Sequence, residues 1–234
     1  LGDIGESLYD DSQATFGSIE INNNYLNDGW GDGIIYDIGY IGDNLYNNAT
    51  VTVRHITMNH NNVISGDNGI TDEWSGYIGE DVYDNARYYG KGLILAYNTI
   101  ATTNDGIRIL GQTDNLIIGA NTILRAGQGI AVKQGSFNIV VAYNTMSGTL
   151  DDGIVFDNIY NSTIVGNSVN ASQNMNGIEL TDYSYNNTIL RNTISNNTVI
   201  GISTTNAWKN TIYHNNILNN TLQAYDNSSG GNAW

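Results

Sequence analysis

The 234-residue chain contains no cysteine and no proline. Without cysteine it holds neither a disulfide nor a thiolate-bound metal, and the redox state of its compartment leaves no mark on it. Without proline, every internal backbone N–H is available to a hydrogen-bond ladder, as continuous sheet requires. Positive charge is scarce: 8 Lys and Arg stand against 23 Asp and Glu, for a formal net charge of −15. A nucleic-acid partner would need a basic stripe to neutralise phosphates, so that class is excluded. The acids are still too few to read as halophilic acidity. No apolar run is long enough to span a bilayer and no secretory signal pattern is present, so membrane insertion is not expected. The first residue is Leu1, which reads as a processed form or a fragment.

What the chain has in excess is Asn, 37 residues, and Gly, 27 residues. Both are poor in helix interiors and good where φ is positive, so they point to tight bends between short strands. The segment 93–109, LILAYNTIATTNDGIRI, states the pattern. An apolar pair leads to Asn, a polar residue and Ile, and Gly-Ile follows eight to ten positions after the Asn. The Asn recurs at Asn98, Asn121, Asn144, Asn167, Asn192 and Asn215, and the Gly-Ile phrase as DGIRI, QGIAV, DGIVF, NGIEL and IGIST. The period is about 23 residues with one slip to about 25, the range of a solenoid in which one repeat is one turn.

A unit of this length has no helical periodicity and fits three short strands joined by bends. The expected fold is therefore all-β: a right-handed, single-stranded parallel β-helix of about eight rungs. In the rung of Asn98 the strands are expected at 93–96, 106–110 and a shorter piece at 114–116. Stacked rungs lie about 4.8 Å apart and place equivalent residues above one another. Ile107, Ile130, Ile154, Ile178 and Ile202 should form one inward file, and Ile100, Ile123, Met146, Val169, Ile194 and Ile217 another. The six asparagines should form a ladder of amides that satisfies polar groups in a dry interior.

The phrases NNTI, GNSV and DGI carry a resemblance. The chain resembles the right-handed parallel β-helix superfamily, and specifically the NosD-like and surface-antigen repeats of methanogenic archaea. The resemblance covers about residues 18–225 and implies the fold. It leaves activity open, because lyases, hydrolases, adhesins and envelope proteins share this coil.

The whole chain, 1–234, is expected to be a single domain. Residues 1–17 lack the repeat and should cover the first open sheet edge. A first rung has its Asn at Asn24, and a second is read with Ile56 at the Asn position. Residues 71–92 form an insertion rich in Tyr and acids, and 93–225 are regular rungs.

Candidate chemistry falls into four groups. Long excursions carry Trp30, Tyr36, Tyr40, Trp74, Tyr77, Tyr83, Tyr88 and Tyr89, rings that either pack their loops onto the wall, meet another subunit or stack on sugars. Asp72, Glu73, Asp81 and Asp84 are the acids from which a Ca²⁺ site would be drawn, no other cofactor being expected. On the outside of the Gly-Ile strands, Arg108 and Glu179 fall in one file and Lys133 and Asp157 in the next. These four could supply base and acid to an acidic polysaccharide, although a ladder of alternating charge is the plainer expectation. Sequons stand at Asn48, Asn161, Asn170, Asn186, Asn196, Asn219 and Asn227 and favour a glycosylated, extracellular surface. His55, His60 and His214 are too far apart in register to share a metal.

The leading functional expectation is a non-enzymatic structural protein of an archaeal cell envelope: a rigid extracellular coil at the cell surface that assembles with copies of itself into a layer, sheath or filament. A carbohydrate-active lyase or hydrolase using Lys133, Asp157, Glu179 and Arg108 is the alternative, and a glycan-binding adhesin is a third.

Overall fold

The computed structural model describes residues 13–35, 50–72, 87–90, 93–110, 114–170 and 172–234. Three parallel sheets build the molecule, one of nine strands and two of eight. Among the described residues there is no helix, hence none long and apolar enough to cross a membrane. Each rung contributes one strand to each sheet. In the rung of Asn98 these are Leu93–Ala96, Thr99–Thr102 and Ile107–Ile109, the pre-Asn, post-Asn and Gly-Ile strands. Each pairs in parallel with its copy in the next rung, Leu95 with Ile118, Ile100 with Ile123 and Ile107 with Ile130. Eight strands lie on the path through every sheet, giving the eight rungs expected of a parallel β-solenoid.

Several elements differ from expectation. The third strand is Thr99–Thr102, immediately after the Asn bend. Asp114 makes only an isolated bridge to Phe137, and Leu116 already opens the next rung. Ile56 lies inside the long strand Thr50–Asn59, opposite Leu93, and Asn61 takes the Asn position of the second rung. The first two steps of the ladder, Asn24 to Asn61 to Asn98, are therefore 37 residues each, against 23 for the step from Asn98 to Asn121. Gln13 to Phe16, expected in the cover, begin the first strand, Gln13–Asn22. Thr71 and Asp72, expected in the insertion, close the strand Ile70–Asp72, and the strand Arg87–Gly90 pairs with Thr50 to Val53. At the far end the Gly-Ile phrase is missing, yet Leu222–Asn227 still pairs with the strand above it.

The interior is a set of files one residue wide. Ile107, Ile130, Ile154, Ile178 and Ile202 are all fully buried, as are Ile100, Ile123, Val169 and Ile194. Burying each such side chain contributes about 1.5–3 kcal/mol relative to exposure. The Gly of each Gly-Ile phrase is required by close backbone approach. A Cβ on Gly129 would lie 2.4 Å from the carbonyl oxygen of Gly153 and against Met146. Outside the core, Phe137, Tyr160, Tyr185 and Trp208 stack as a column at the bend after the Gly-Ile strands, with centroids 5.1, 5.2 and 6.0 Å apart.

The amide ladder runs from Asn24 to Asn215. At each step the Oδ1 of one Asn accepts both the backbone N–H and the side-chain N–H of the Asn one rung earlier. For Asn121 to Asn144 both distances are 2.9 Å. The second hydrogen of Nδ2 goes back to a carbonyl of the previous rung, from Asn144 to Ile118 at 2.9 Å. Every capacity of the buried amide is thereby used. Shorter ladders of the same design join Asn187, Asn210 and Asn232, and Asn197 and Asn220. Replacing Asn144 by Leu strands two donors on Asn121 and the carbonyl of Ile118. It should lower stability by about 3 kcal/mol in chemical denaturation, whereas Asn215→Leu, at the half-buried last step, should lower it by about 1 kcal/mol.

Candidate functional site

Register sets Arg108, Ala131, Val155, Glu179 and Ser203 in one file on the outward side of the Gly-Ile strands. Outward does not here mean exposed. Ala131, Val155 and Ser203 are 0%, 3% and 3% accessible, so the middle of this face is recessed into a trough.

One border of the trough is the bend before each Gly. There Asp32, Asn68, Asp105, Gln128, Asp152 and Asn176 occupy successive rungs. The Asp105 carboxylate accepts the N–H of Gln128 at 3.0 Å, and the Asp152 carboxylate accepts the N–H of Asn176 at 2.9 Å. Both carboxyls are buried, at 7% and 2% accessible. Burial raises the pKa of each, and these hydrogen bonds only partly offset it.

Glu179 stands half-buried in the trough, with the side-chain N–H of Asn176 3.4 Å from its Oε1. Burial pushes its carboxyl from 4.5 up to about 7, and repulsion from Asp152, Asp182 and Asp157 adds to the shift against the pull of Lys133. Asp157 is raised as well, by burial and by Asp182, again against Lys133. A carboxyl raised to near neutrality by burial and by neighbouring acids is a setting used for general acid–base chemistry.

Of the four residues singled out on this face, Lys133, Asp157 and Glu179 come together. Arg108 does not join them. It lies three rungs from Glu179, about 14 Å along the axis, and its Nε faces Asp105 Oδ2 at 3.6 Å. Asp152 joins the cluster from the bend before Gly153, and Asp182 belongs to it although sequence reasoning did not single it out. Asp182 has a signal in hindsight, since it directly follows Thr181, the register partner of Asp157.

Trp30 is almost wholly exposed, at 96%, and Tyr88 and Tyr89 fall in the strand Arg87–Gly90. Tyr36, Tyr40, Trp74, Tyr77, Tyr83, Glu73, Asp81, Asp84 and Asn48 lie outside the described residues. The remaining sequon residues Asn161, Asn186, Asn196, Asn219 and Asn227 are exposed and Asn170 is half-buried, all on the outside of the coil. Two neighbouring pairs are already hydrogen-bonded, Asn186 to Asn161 and Asn196 to Asn170.

A three-sheet parallel solenoid, with a closed apolar interior and its polar chemistry on the outer walls, defines an extended β-helix protein. Residues 31–234 match the NosD family, described as a periplasmic copper-binding protein, and the chain belongs to that family. Neither a curated protein nor a solved structure matches it.

The copper in that description can be tested against the donors present. Copper favours thiolate, thioether and imidazole ligands. The chain has no Cys. Met58 and Met146 are buried in the core at 0% and 1%, and Met175 stands apart on the surface. His60 stacks on Tyr97 and His214 packs edge-on against Tyr213, at the second and last rungs. Among the described residues no three His, Cys, Asp or Glu are grouped to hold a metal. Among the described residues, these donors do not fit copper.

Glu179 binds its proton more tightly folded than unfolded, so its contribution to stability is fully present below about pH 4.5 and is lost as pH rises through about 7. Asp105, Asp152 and Asp157 act in the same direction. Glu179→Gln should flatten the fall in stability across that window, as read by denaturant melts at a series of pH values. An unchanged pH profile would contradict the desolvated setting of Glu179.

Proposed function

We propose that this chain is a structural, extracytoplasmic β-helix that associates with copies of itself through the N-terminal half of its post-Asn wall. The periplasmic description of its family supports a place outside the cytoplasm. The observation that carries self-association is an apolar patch. Ile64, Ala101 and Leu124 follow one another in the outward file of that wall, and Ile64, Leu124 and Leu150 are 38%, 39% and 44% exposed. Ile64, Ala101 and Leu150, with Thr102 and Arg125, line a groove of about 390 Å³, and Leu124 lies beside Ala101 on the next rung.

A second copy supplies the same patch with the same rung spacing, so two walls can mesh side by side over several rungs. The sequon asparagines of this wall, Asn170, Asn196 and Asn219, lie on its last three rungs, and Asn170 borders the far end of the groove, its carbonyl accepting the N–H of Gly148. The finer part of the proposal, a subunit of an archaeal surface layer, sheath or filament, rests on the resemblance of the repeat phrases to methanogen surface antigens. Light scattering should give a mass that rises with concentration, and Leu124→Asp with Leu150→Asp should hold the chain monomeric with unchanged circular dichroism. A parent chain that stays monomeric throughout its soluble range sinks the proposal.

The raised pKa of Glu179 favours one second reading, a carbohydrate-active enzyme working in the trough. In an elimination on an acidic polysaccharide, a base removes the proton beside the uronate carboxylate, the glycosidic C–O bond breaks and the leaving oxygen is protonated. In this reading Lys133 would meet the anionic substrate and Glu179 would carry the proton. New ultraviolet absorbance from the unsaturated product, lost in Glu179→Gln, is the expected result. Silence on uronate polymers that also include hydrolysis products would remove this reading.

A further inference from the structure

The residue before each ladder Asn turns the corner between the pre-Asn and post-Asn strands, and it does so with positive φ: Asn23, His60, Tyr97, Ala120, Tyr143, Gly166, Arg191 and His214. This left-handed conformation suits Gly and Asn and is unfavourable for a bulky ring. Half of the other positive-φ positions of the coil use Asn, among them Asn115, Asn138, Asn158 and Asn161. Tyr97 and Tyr143, with φ of 58° and 57°, are therefore poor choices for folding. Burial does not compensate them, since they are 60% and 70% exposed. Strain held at aromatic residues that remain mostly exposed points to use of the rings themselves.

Their surroundings say what the rings meet. Tyr97 covers one face with His60, centroids 5.0 Å apart and planes 11° from parallel, which leaves its other face toward the rung of Ala120. Tyr143 reaches over Gly166, where an added Cβ would lie 2.7 Å from two of its ring carbons. On either side of Tyr143, then, the file carries nothing larger than a methyl group. Beside this file runs a second of hydroxyls, Thr99, Thr122 and Thr145, in register on successive rungs. None of these positions is charged. The two tyrosines sit two rungs apart, about 10 Å along the axis.

We propose that the Tyr97–Tyr143 edge is a binding site for a neutral polysaccharide lying along the coil, with sugar rings stacked on the two tyrosines and hydroxyls bonded to Thr99, Thr122 and Thr145. A pyranose offers an apolar face and a polar rim at once, which matches an aromatic file beside a hydroxyl file. No cation lies among Tyr97, Ala120, Tyr143 and the three threonines, so this edge offers nothing to a polyanion. The site lies on a different edge from the acidic trough and does not depend on self-association.

The test is calorimetric titration of the full chain with hexasaccharides of β-linked glucose, α-linked glucose, N-acetylglucosamine and, as the charged comparison, a uronate. At least one neutral hexasaccharide should bind saturably. Tyr97→Asn with Tyr143→Asn should weaken it by about ten-fold or more while raising the thermal midpoint, because Asn suits the positive φ. That opposite movement separates a binding role from a structural one. The proposal is overturned if no neutral hexasaccharide binds, if only the uronate does, or if the double variant binds undiminished. It is equally overturned if that variant melts lower, or if it loses self-association where no sugar binds.

Discussion

The hydrogen bond from one rung to the next, made by a buried asparagine, is the constraint on which the molecule rests. A coil whose turns are three short strands must bend sharply three times per rung, and each bend brings backbone N–H groups into an interior without water. The ladder Asn answers this by accepting a backbone and a side-chain N–H at one oxygen, as Asn144 does from Asn121. Because the acceptor is the equivalent residue of the next rung, the bond forms only when the rungs are in register. A slip of one residue would place a threonine or a corner residue where the amide belongs and would turn the outward Thr99, Thr122 and Thr145 into the apolar file.

That single alignment also orders the outside. Each outward position becomes a file along the axis, and the three walls acquire separate characters. The Gly-Ile wall is a recessed acidic trough around Glu179, the post-Asn wall is apolar in its first half and carries sequons in its second, and the edge between the pre-Asn and post-Asn walls carries Tyr97 and Tyr143. Nothing in the interior depends on these choices, which is why one coil can serve unrelated functions. The family's copper description sits in the same light: the coil is shared, while the soft donors that copper favours are not assembled among the described residues.

Much of this was legible beforehand, and the exceptions have definite causes. The files of Ile107 to Ile202 and the ladder from Asn98 to Asn215 follow from period alone, because register repeats whatever the bends do. The third strand was misplaced because Leu93–Ala96 and Thr99–Thr102 are separated by only two residues and read as one apolar run. Asn61 was missed because the second rung spans 37 residues, breaking the counting that found the others. Arg108 and Glu179 share a file, but sharing a file does not make residues neighbours when two rungs stand between them.

The sequence alone determined the coil, its parallel register and its closed interior, since these depend on a pattern of residue types recurring at a fixed spacing. Only the tertiary structure decided which outward residues are sunk and which are free. Ala131 and Val155 are buried while Tyr97 and Tyr143 stand open, although all four sit outside the core by alternation or at a corner. The state of Glu179 was decided at the same level. Its carboxyl answers to Asp152 and Asp157 on the rung before and to Asp182 on its own. Desolvation and charge act through space, and the distances involved exist only once the rungs are stacked.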